Sequence, residues 1–300
     1  MTVKEPSDPP SLVACYARAL LPHRRAPEAA LPDSEYVRTD IAVEPGHLAA
    51  YNQVCDFRLS DEVPGTYPHL LVFPLQLALM TERAFPFPLL GMVHVANRIT
   101  QHRPIRLGET YSARVRTENL RPHEQGHQFD VLGELLTGDR PVWTEISTYL
   151  WRDGRSAGSA RSRGPQLTAP APTAVWRVPG DIGRRYAQVS GDRNPIHLHP
   201  LTARLFGFSS AIAHGGWTAA RALAAFEGRL PDAYTVDVRF KAPVLLPAKT
   251  AFTSWRTGTG WAFELWDARR PRPHLVGVVK ESDVTGQVTA AATPGPRPDR

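Results

Sequence analysis

Residues 216–226 read Gly-Trp-Thr-Ala-Ala-Arg-Ala-Leu-Ala-Ala-Phe. The run is long enough for about three helical turns. Trp217, Ala219, Ala220, Ala222, Leu223, Ala224 and Phe226 leave it almost no polar face, and a helix that is apolar all round has to be buried. Residues 75–80 have the same character in the first half of the chain. Strand-like runs precede and follow each of these helices. After the first, residues 142–151 alternate apolar and polar behind the turn-forming Thr137-Gly138-Asp139-Arg140. After the second, residues 262–266 and 275–279 form a hairpin with its turn around Pro271 and Pro273. No strand–helix–strand alternation runs along the chain, which argues against a parallel doubly wound sheet.

The two helices belong to an internal duplication. Tyr51-Asn52-Gln53-Val54 returns 135 residues later as Tyr186-Ala187-Gln188-Val189. Each copy follows a strand-like run (residues 36–43 and 174–178) and a Pro-Gly pair, Pro45-Gly46 and Pro179-Gly180. Proline suits the first turn of a helix because its missing N–H would be unpaired there. Further on, Arg103-Pro104-Ile105-Arg106-Leu107-Gly108 lies opposite Ala242-Pro243-Val244-Leu245-Leu246-Pro247, and Gly126-His127-Gln128-Phe129 opposite Gly260-Trp261-Ala262-Phe263. Two similar α+β units follow, each an antiparallel sheet wrapped around one buried helix, which is a double hotdog. The expected boundaries are 1–152 for the first unit, 153–173 for a linker, 174–282 for the second unit and 283–300 for a tail. The linker is rich in Arg, Ser, Gly, Ala and Pro and cannot bury a core.

Bulk composition narrows the function classes. Thirty-five basic and 29 acidic residues in 300 give a net charge of +6, which suits a polyanionic partner such as coenzyme A or an acidic carrier protein. The only cysteines, Cys15 and Cys55, form neither a disulfide framework nor a metal-ligand spacing. Residues 12–21 are apolar but short and are interrupted by Arg18, so they cannot span a membrane. Residues 1–10 are charged and proline-rich with no apolar signal core, and a cytoplasmic location is expected. There is no phosphate-binding glycine loop, no dinucleotide fingerprint and no basic–aromatic pattern for nucleic acid.

Chemistry concentrates in Ser190-Gly191-Asp192-Arg193-Asn194-Pro195-Ile196-His197. Asp192 and His197 lie five residues apart in a segment broken by Asn-Pro, where helical continuation is disfavoured. A loop there can aim both side chains at one water. Ala213-His214-Gly215-Gly216 then leads straight into the buried helix. Glycine at a helix N-terminus leaves backbone N–H groups free and lets a ligand approach closely, and the helix dipole adds positive charge. Such a helix end can hold an oxygen on which negative charge develops.

The pattern Tyr186-x-x-x-Ser190-Gly191-Asp192-x-Asn194-Pro195-x-His197, followed by Gly207-Phe208 and Ile212-Ala213-His214-Gly215, resembles the hydratase motif of the MaoC-like family. The resemblance covers residues 174–280 directly and 36–151 only through the duplication. It implies an (R)-specific enoyl-thioester hydratase, reversibly a 3-hydroxyacyl-thioester dehydratase, working without cofactor or metal. It also implies Asp192 and His197 as the acid/base pair, Asn194 orienting the loop and the Gly215 amide holding the thioester oxygen. Ser190, His214 and Gly216 support the site. The expected partners are enoyl and 3-hydroxyacyl thioesters of coenzyme A or acyl carrier protein, and the chain is expected as a monomeric pseudo-dimer or a homodimer.

The first copy departs from the motif. The offset of 135 puts Phe57 opposite Asp192 and Glu62 opposite His197, and Val72-Phe73-Pro74 lies roughly opposite the Ala-His-Gly stretch. The first half is therefore read as a silent copy whose shape accommodates the acyl chain, leaving one site per chain. Two other readings stand beside the hydratase. Hotdog domains also host acyl-thioester hydrolases, and a non-catalytic acyl-binding scaffold needs neither Asp192 nor His197.

Overall fold

The structure, a computed structural model, describes residues 2–21, 29–153, 168–258 and 260–282. Most of the expected linker and all of the expected tail lie outside the described residues. The backbone divides into two compact units. The first comprises Met1–Leu48, Asp61–Asn97 and Ile105–Ala160; the second comprises Ala49–Ser60, Arg98–Pro104 and Arg161–Arg300.

The first unit contains β1 (Thr2–Lys4), α1 (Leu12–Ala19), β2 (Ser34–Ala42) and the start of α2 (Pro45–Cys55). It continues through β3 (Glu62–Val63), α3 (Pro68–Met80), most of β4 (Val93–Gln101), β5 (Ile105–Arg106), β6 (Thr110–His123), β7 (Gly126–Thr137) and β8 (Arg140–Arg152). Its strands run in the order β1-β2-β6-β7-β8-β4. β1 pairs parallel with β2, while β2–β6, β6–β7 and β7–β8 are antiparallel.

α3 is the buried helix expected at residues 75–80, and it starts earlier, at Pro68. Leu70, Val72, Phe73, Leu75, Leu77, Leu79 and Met80 are all buried. Each such side chain contributes about 1.5–3 kcal/mol when removed from water. β7 meets the helix at Gly133, where an added Cβ would press on Val72 at 3.1 Å. The same core holds a charge. Glu145 on β8 accepts from Gln76 Nε2 (3.0 Å) and Asn97 Nδ2 (2.6 Å) and pairs with His69 Nδ1 (2.9 Å). Burial alone would raise the Glu145 carboxyl, but His69, Asn97 and His94 hold it below the usual carboxylate range.

The second unit contains β9 (Ala174–Val178), α4 (Ile182–Ser190), α5 (Pro195–Leu198), α6 (Pro200–Leu205), α7 (Gly215–Ala224), β10 (Tyr234–Phe240), β11 (Ala248–Thr257), β12 (Gly260–Asp267) and β13 (Pro273–Glu281). Its strand order is β10-β13-β12-β11-β9, antiparallel throughout. α7 is the helix read from residues 216–226. Trp217, Thr218, Ala219, Ala220, Ala222, Leu223 and Ala224 are buried, and Phe226 beyond it packs against Phe252 and Phe263.

The segment Ala49–Ser60 belongs to this unit and braces α7. Trp217 Nε1 donates to the Val54 carbonyl at 3.0 Å. Arg221 pairs with Asp56 at 2.7 Å and lies 4.1 Å over the Trp176 ring. Both units are α+β hotdogs, an antiparallel sheet with one buried helix. No described helix is long and apolar enough to cross a membrane.

Candidate active site

α4 carries the chain to the site and stops there. Its Ile182, Tyr186, Ala187 and Val189 are buried. The helix ends because Gly191 turns left-handed, at φ 71°, with its N–H on the Ala187 carbonyl. A side chain at that position would be strained, so glycine makes the turn. Tight local bonds then hold Asp192. Its N–H donates to Ser190 Oγ (3.2 Å), and its Oδ1 accepts from the Asn194 N–H (3.1 Å). The Asp192 side chain keeps 26% of its exposure.

At Asn194-Pro195 the structure differs from the expected loop. Asn194 is an N-cap whose Oδ1 accepts from the Ile196 N–H, and Pro195 is the first residue of α5. The cap sits at φ −55° and ψ 124°, outside the helical region that a residue before proline avoids, and proline at the first helical position gives up no hydrogen bond. Asn-Pro therefore starts a one-turn helix instead of breaking one, and that turn carries His197 inward. α5 closes on α4 at Gly183, where any Cβ would strike the His197 carbonyl.

His197 is 9% exposed. Its Nδ1 lies 2.8 Å from the Ile212 carbonyl, which can only accept. Nδ1 therefore carries the proton and Nε2 keeps its lone pair. Burial pulls the His197 pKa below the ordinary imidazole value, against the opposing pull of Asp192 and the Ile212 carbonyl.

The ring of His214 stacks on His197, with centroids 3.7 Å apart and planes at 24°. His214 Nε2 donates to the Asp192 carbonyl at 3.0 Å and lies 3.7 Å from Asp192 Oδ2. Burial first, and then His197, lower its pKa to about 3, so His214 is a neutral brace that ties the Asp192 backbone to the start of α7. One donor or acceptor atom each from Asp192, His197 and His214 lies within 4.8 Å of the others. Among the described residues this is the one group of three or more acidic, histidine or cysteine side chains close enough to share a cation.

Above this cluster α7 begins. His214 is its N-cap but makes no side-chain cap bond, and Thr218 is the first residue to donate back, to the His214 carbonyl (3.0 Å). Gly215 and Gly216 are the first two helical residues, and their N–H groups find no acceptor among the described residues. Such free donors at a positive helix end form an anion site. Close approach explains both glycines. A Cβ at Gly215 would lie 3.2 Å from the Phe240 ring, and one at Gly216 would lie 2.9 Å from the Tyr186 hydroxyl.

The structure thus gathers Ser190, Asp192, Asn194, His197, His214, Gly215 and Gly216 around one centre. Three contributors escaped the sequence reading. The Ile212 carbonyl, which sets the His197 tautomer, is backbone and leaves no mark in the residue type. Gly183 and Phe240 act through close packing between elements, and only their fold neighbours reveal them.

Matching the two copies by structure revises the constant offset. β3 pairs with β5 through Val63 and Ile105, and the corresponding bridge in the second copy joins Ile212 and Leu245. Only residues 56–61 separate α2 from β3, whereas residues 191–211 separate α4 from that bridge. The segment bearing Asp192, His197 and α6 is therefore an addition to the duplicated frame. Helix start matched to helix start puts Tyr67-Pro68, and not Val72-Phe73-Pro74, opposite His214-Gly215. Pro68 has no N–H to offer an oxyanion.

Comparison with known proteins gives a consistent family. Residues 160–271 match the model of the MaoC like domain. The chain is 39% identical over 252 residues to the 3-hydroxyacyl-thioester dehydratase X of Mycobacterium tuberculosis, covering 83% of this chain and 90% of that protein. The crystal structure of that organism's HtdX superposes with a TM-score of 0.75 at 38% identity, over 83% of this chain and all of that one. A MaoC-like dehydratase from Phytophthora capsici shares the fold, with a TM-score of 0.67 at 20% identity, over 85% of this chain and 96% of that chain.

Proposed function

The chain belongs to the MaoC-like dehydratase family and is a hydro-lyase, and from that premise we propose that Asp192 and His197 add water reversibly across the double bond of trans-2-enoyl thioesters, giving (R)-3-hydroxyacyl thioesters. The observation that carries this reading is the convergence of Asp192 and His197, within 4.8 Å, at the open N-terminus of α7.

The steps balance within the site. The thioester carbonyl accepts from the Gly215 N–H, with the Gly216 N–H beside it, which draws electrons from Cβ. One water sits between the Asp192 carboxylate and His197 Nε2. As its oxygen bonds to Cβ, a proton passes to the acid/base pair and the double-bond electrons move to an enolate whose charge rests on the oxygen held by α7. The pair returns the proton to Cα, so it ends as it began. Both additions come from the side of the acid/base pair, and the addition is syn.

Ser190, Asn194 and His214 keep Asp192 in place, and the Ile212 carbonyl keeps the Nε2 lone pair of His197 available. Substrates are read as thioesters of coenzyme A or a carrier protein. The direct test follows the enoyl absorbance of crotonyl-CoA against free thiol. Loss of absorbance without thiol supports hydration, whereas thiol release would identify an acyl-thioester hydrolase.

The acid limb of the rate profile gives a separate check. The base form of His197 is the neutral one, and burial sets its pKa below about 6.5, the ordinary imidazole value. Activity is therefore expected to hold as pH falls through that value and to be lost only lower, where His197 takes a proton. A plot of log kcat/KM against pH locates the limb. A midpoint at or above the ordinary value would contradict a buried, neutral His197 as base.

A further inference from the structure

The elements that carry the site also present a surface that hydration chemistry does not use. Between Asp181 and Glu227 the only acidic residue is Asp192, while Arg184, Arg185, Arg193, Arg204 and Arg221 lie in the same stretch. Arg221 is committed to Asp56 and Trp176. The other four have no ion-pair partner among the described residues, and Arg184, Arg193 and Arg204 are exposed.

Among these charges stands α6. Its Ala203 is fully buried, and Thr202 Oγ1 donates to the Pro195 carbonyl (2.7 Å) and to the His199 carbonyl (2.9 Å), which fixes the helix on α5. The opposite side is apolar. Leu201 and Leu205, four residues apart and so on one helix face, are 62% and 83% exposed, and Phe206 follows at 37%. Leu201 lies four residues beyond His197, so their Cα atoms are within about 14 Å even for extended chain.

We propose that this face docks an acidic acyl carrier protein, with Leu201, Leu205 and Phe206 as its apolar centre and Arg193 and Arg204 in a basic rim. The proposal rests on reading Asp192 and His197 as a thioester hydratase pair, and it names how the thioester arrives. An apolar centre within a charged rim is the usual composition of a protein–protein interface, and the rim governs association rate and salt dependence. Free coenzyme A offers phosphates to the arginines but no apolar protein surface to cover two leucines. A second copy of this chain would bring the same unpaired arginines against their equals. Residues 154–167 contain three arginines and no acid and would be repelled likewise. An acidic helical protein with its own small apolar patch satisfies both the charge and the leucines, and its flexible arm has only a short distance to cross.

The experiment compares two substrates on the intact chain, crotonyl-CoA and crotonyl loaded on a bacterial acyl carrier protein. In Leu201→Glu/Leu205→Glu and in Arg204→Glu, KM for the carrier-borne substrate is expected to rise roughly tenfold, the size of a hot-spot loss. For crotonyl-CoA, kcat/KM of the leucine variant and kcat of Arg204→Glu are expected to stay within about twofold, since none of these residues touches the reacting atoms. Equal losses on both substrates, or no change on either, would overturn the docking proposal. So would a wild-type chain that hydrates crotonyl-CoA but not the carrier-borne substrate, and that result leaves the hydratase reading standing. A wild-type chain that hydrates neither substrate overturns the hydratase reading, and the docking proposal with it.

Discussion

Gly215→Pro is expected to lower kcat by about 10²–10³-fold, the loss typical of removing one oxyanion donor, while the protein still folds. Gly215 is the first helical residue of α7, and proline is tolerated there because it deletes an N–H that has no helical partner. The preceding residue is also compatible. His214 sits at φ −63° and ψ 142°, the extended region that a residue before proline prefers. Gly215→Ala is the control, since it keeps the N–H and adds a Cβ that meets the Phe240 ring at 3.2 Å. Phe240 can yield a few tenths of an ångström, so the alanine variant is expected to lose less than about tenfold, a cost of under about 1.4 kcal/mol. Steady-state kinetics of both variants, with thermal unfolding to verify folding, make the comparison. If proline and alanine behave alike, the Gly215 N–H does not hold the developing charge.

Asp192→Asn and His197→Ala are each expected to lower kcat by roughly a hundredfold or more, the scale of positioned acid–base catalysis. The asparagine keeps an oxygen to accept from the Asn194 N–H, so the turn at 190–194 survives while the charge is lost. His197→Ala also removes the ring stacked on His214 and leaves a small cavity. Some stability is lost with it, and the measurement belongs well below the melting temperature. Retention of more than about half the wild-type rate in either folded variant would remove that residue from the acid/base role, given the expected scale.

Much of the fold was legible because it follows from periodicity. The apolar run at 216–226 has a single reading, and α7 fits it closely. The shorter run at 75–80 pointed to α3, but the helix begins at Pro68 and continues through Pro74. An internal proline usually breaks a helix, and here burial of almost every α3 side chain outweighs that cost. The duplication was visible at its anchors, yet a constant offset failed where it mattered most. The added segment 191–211 shifts the register between α4 and α7, and similarity on either side cannot show where an insertion begins.

At the site, the residue types that stand out by themselves were readable as candidates: the ionisable side chains of Asp192 and His197, and the glycine pair at 215–216, which bares the backbone. Asn194-Pro195 was legible as a boundary but not as a helix start, because the same two residues serve both and the outcome depends on whether α5 can pack on Gly183. The Glu145 cluster left no sequence signal at all. Its members stand on α3, β4 and β8, far apart in the chain, and only the fold brings them together.

The central claim is that Asp192 and His197 add water from one side under the free N–H groups of α7. Crotonyl-CoA turned over by the wild-type chain in deuterated water, with chiral and NMR analysis of the product, tests it most directly. The expected product is (R)-3-hydroxybutyryl-CoA with a single deuterium at Cα, syn to the new hydroxyl and with no thiol released. The (S) enantiomer, or deuterium anti to the hydroxyl, would contradict it.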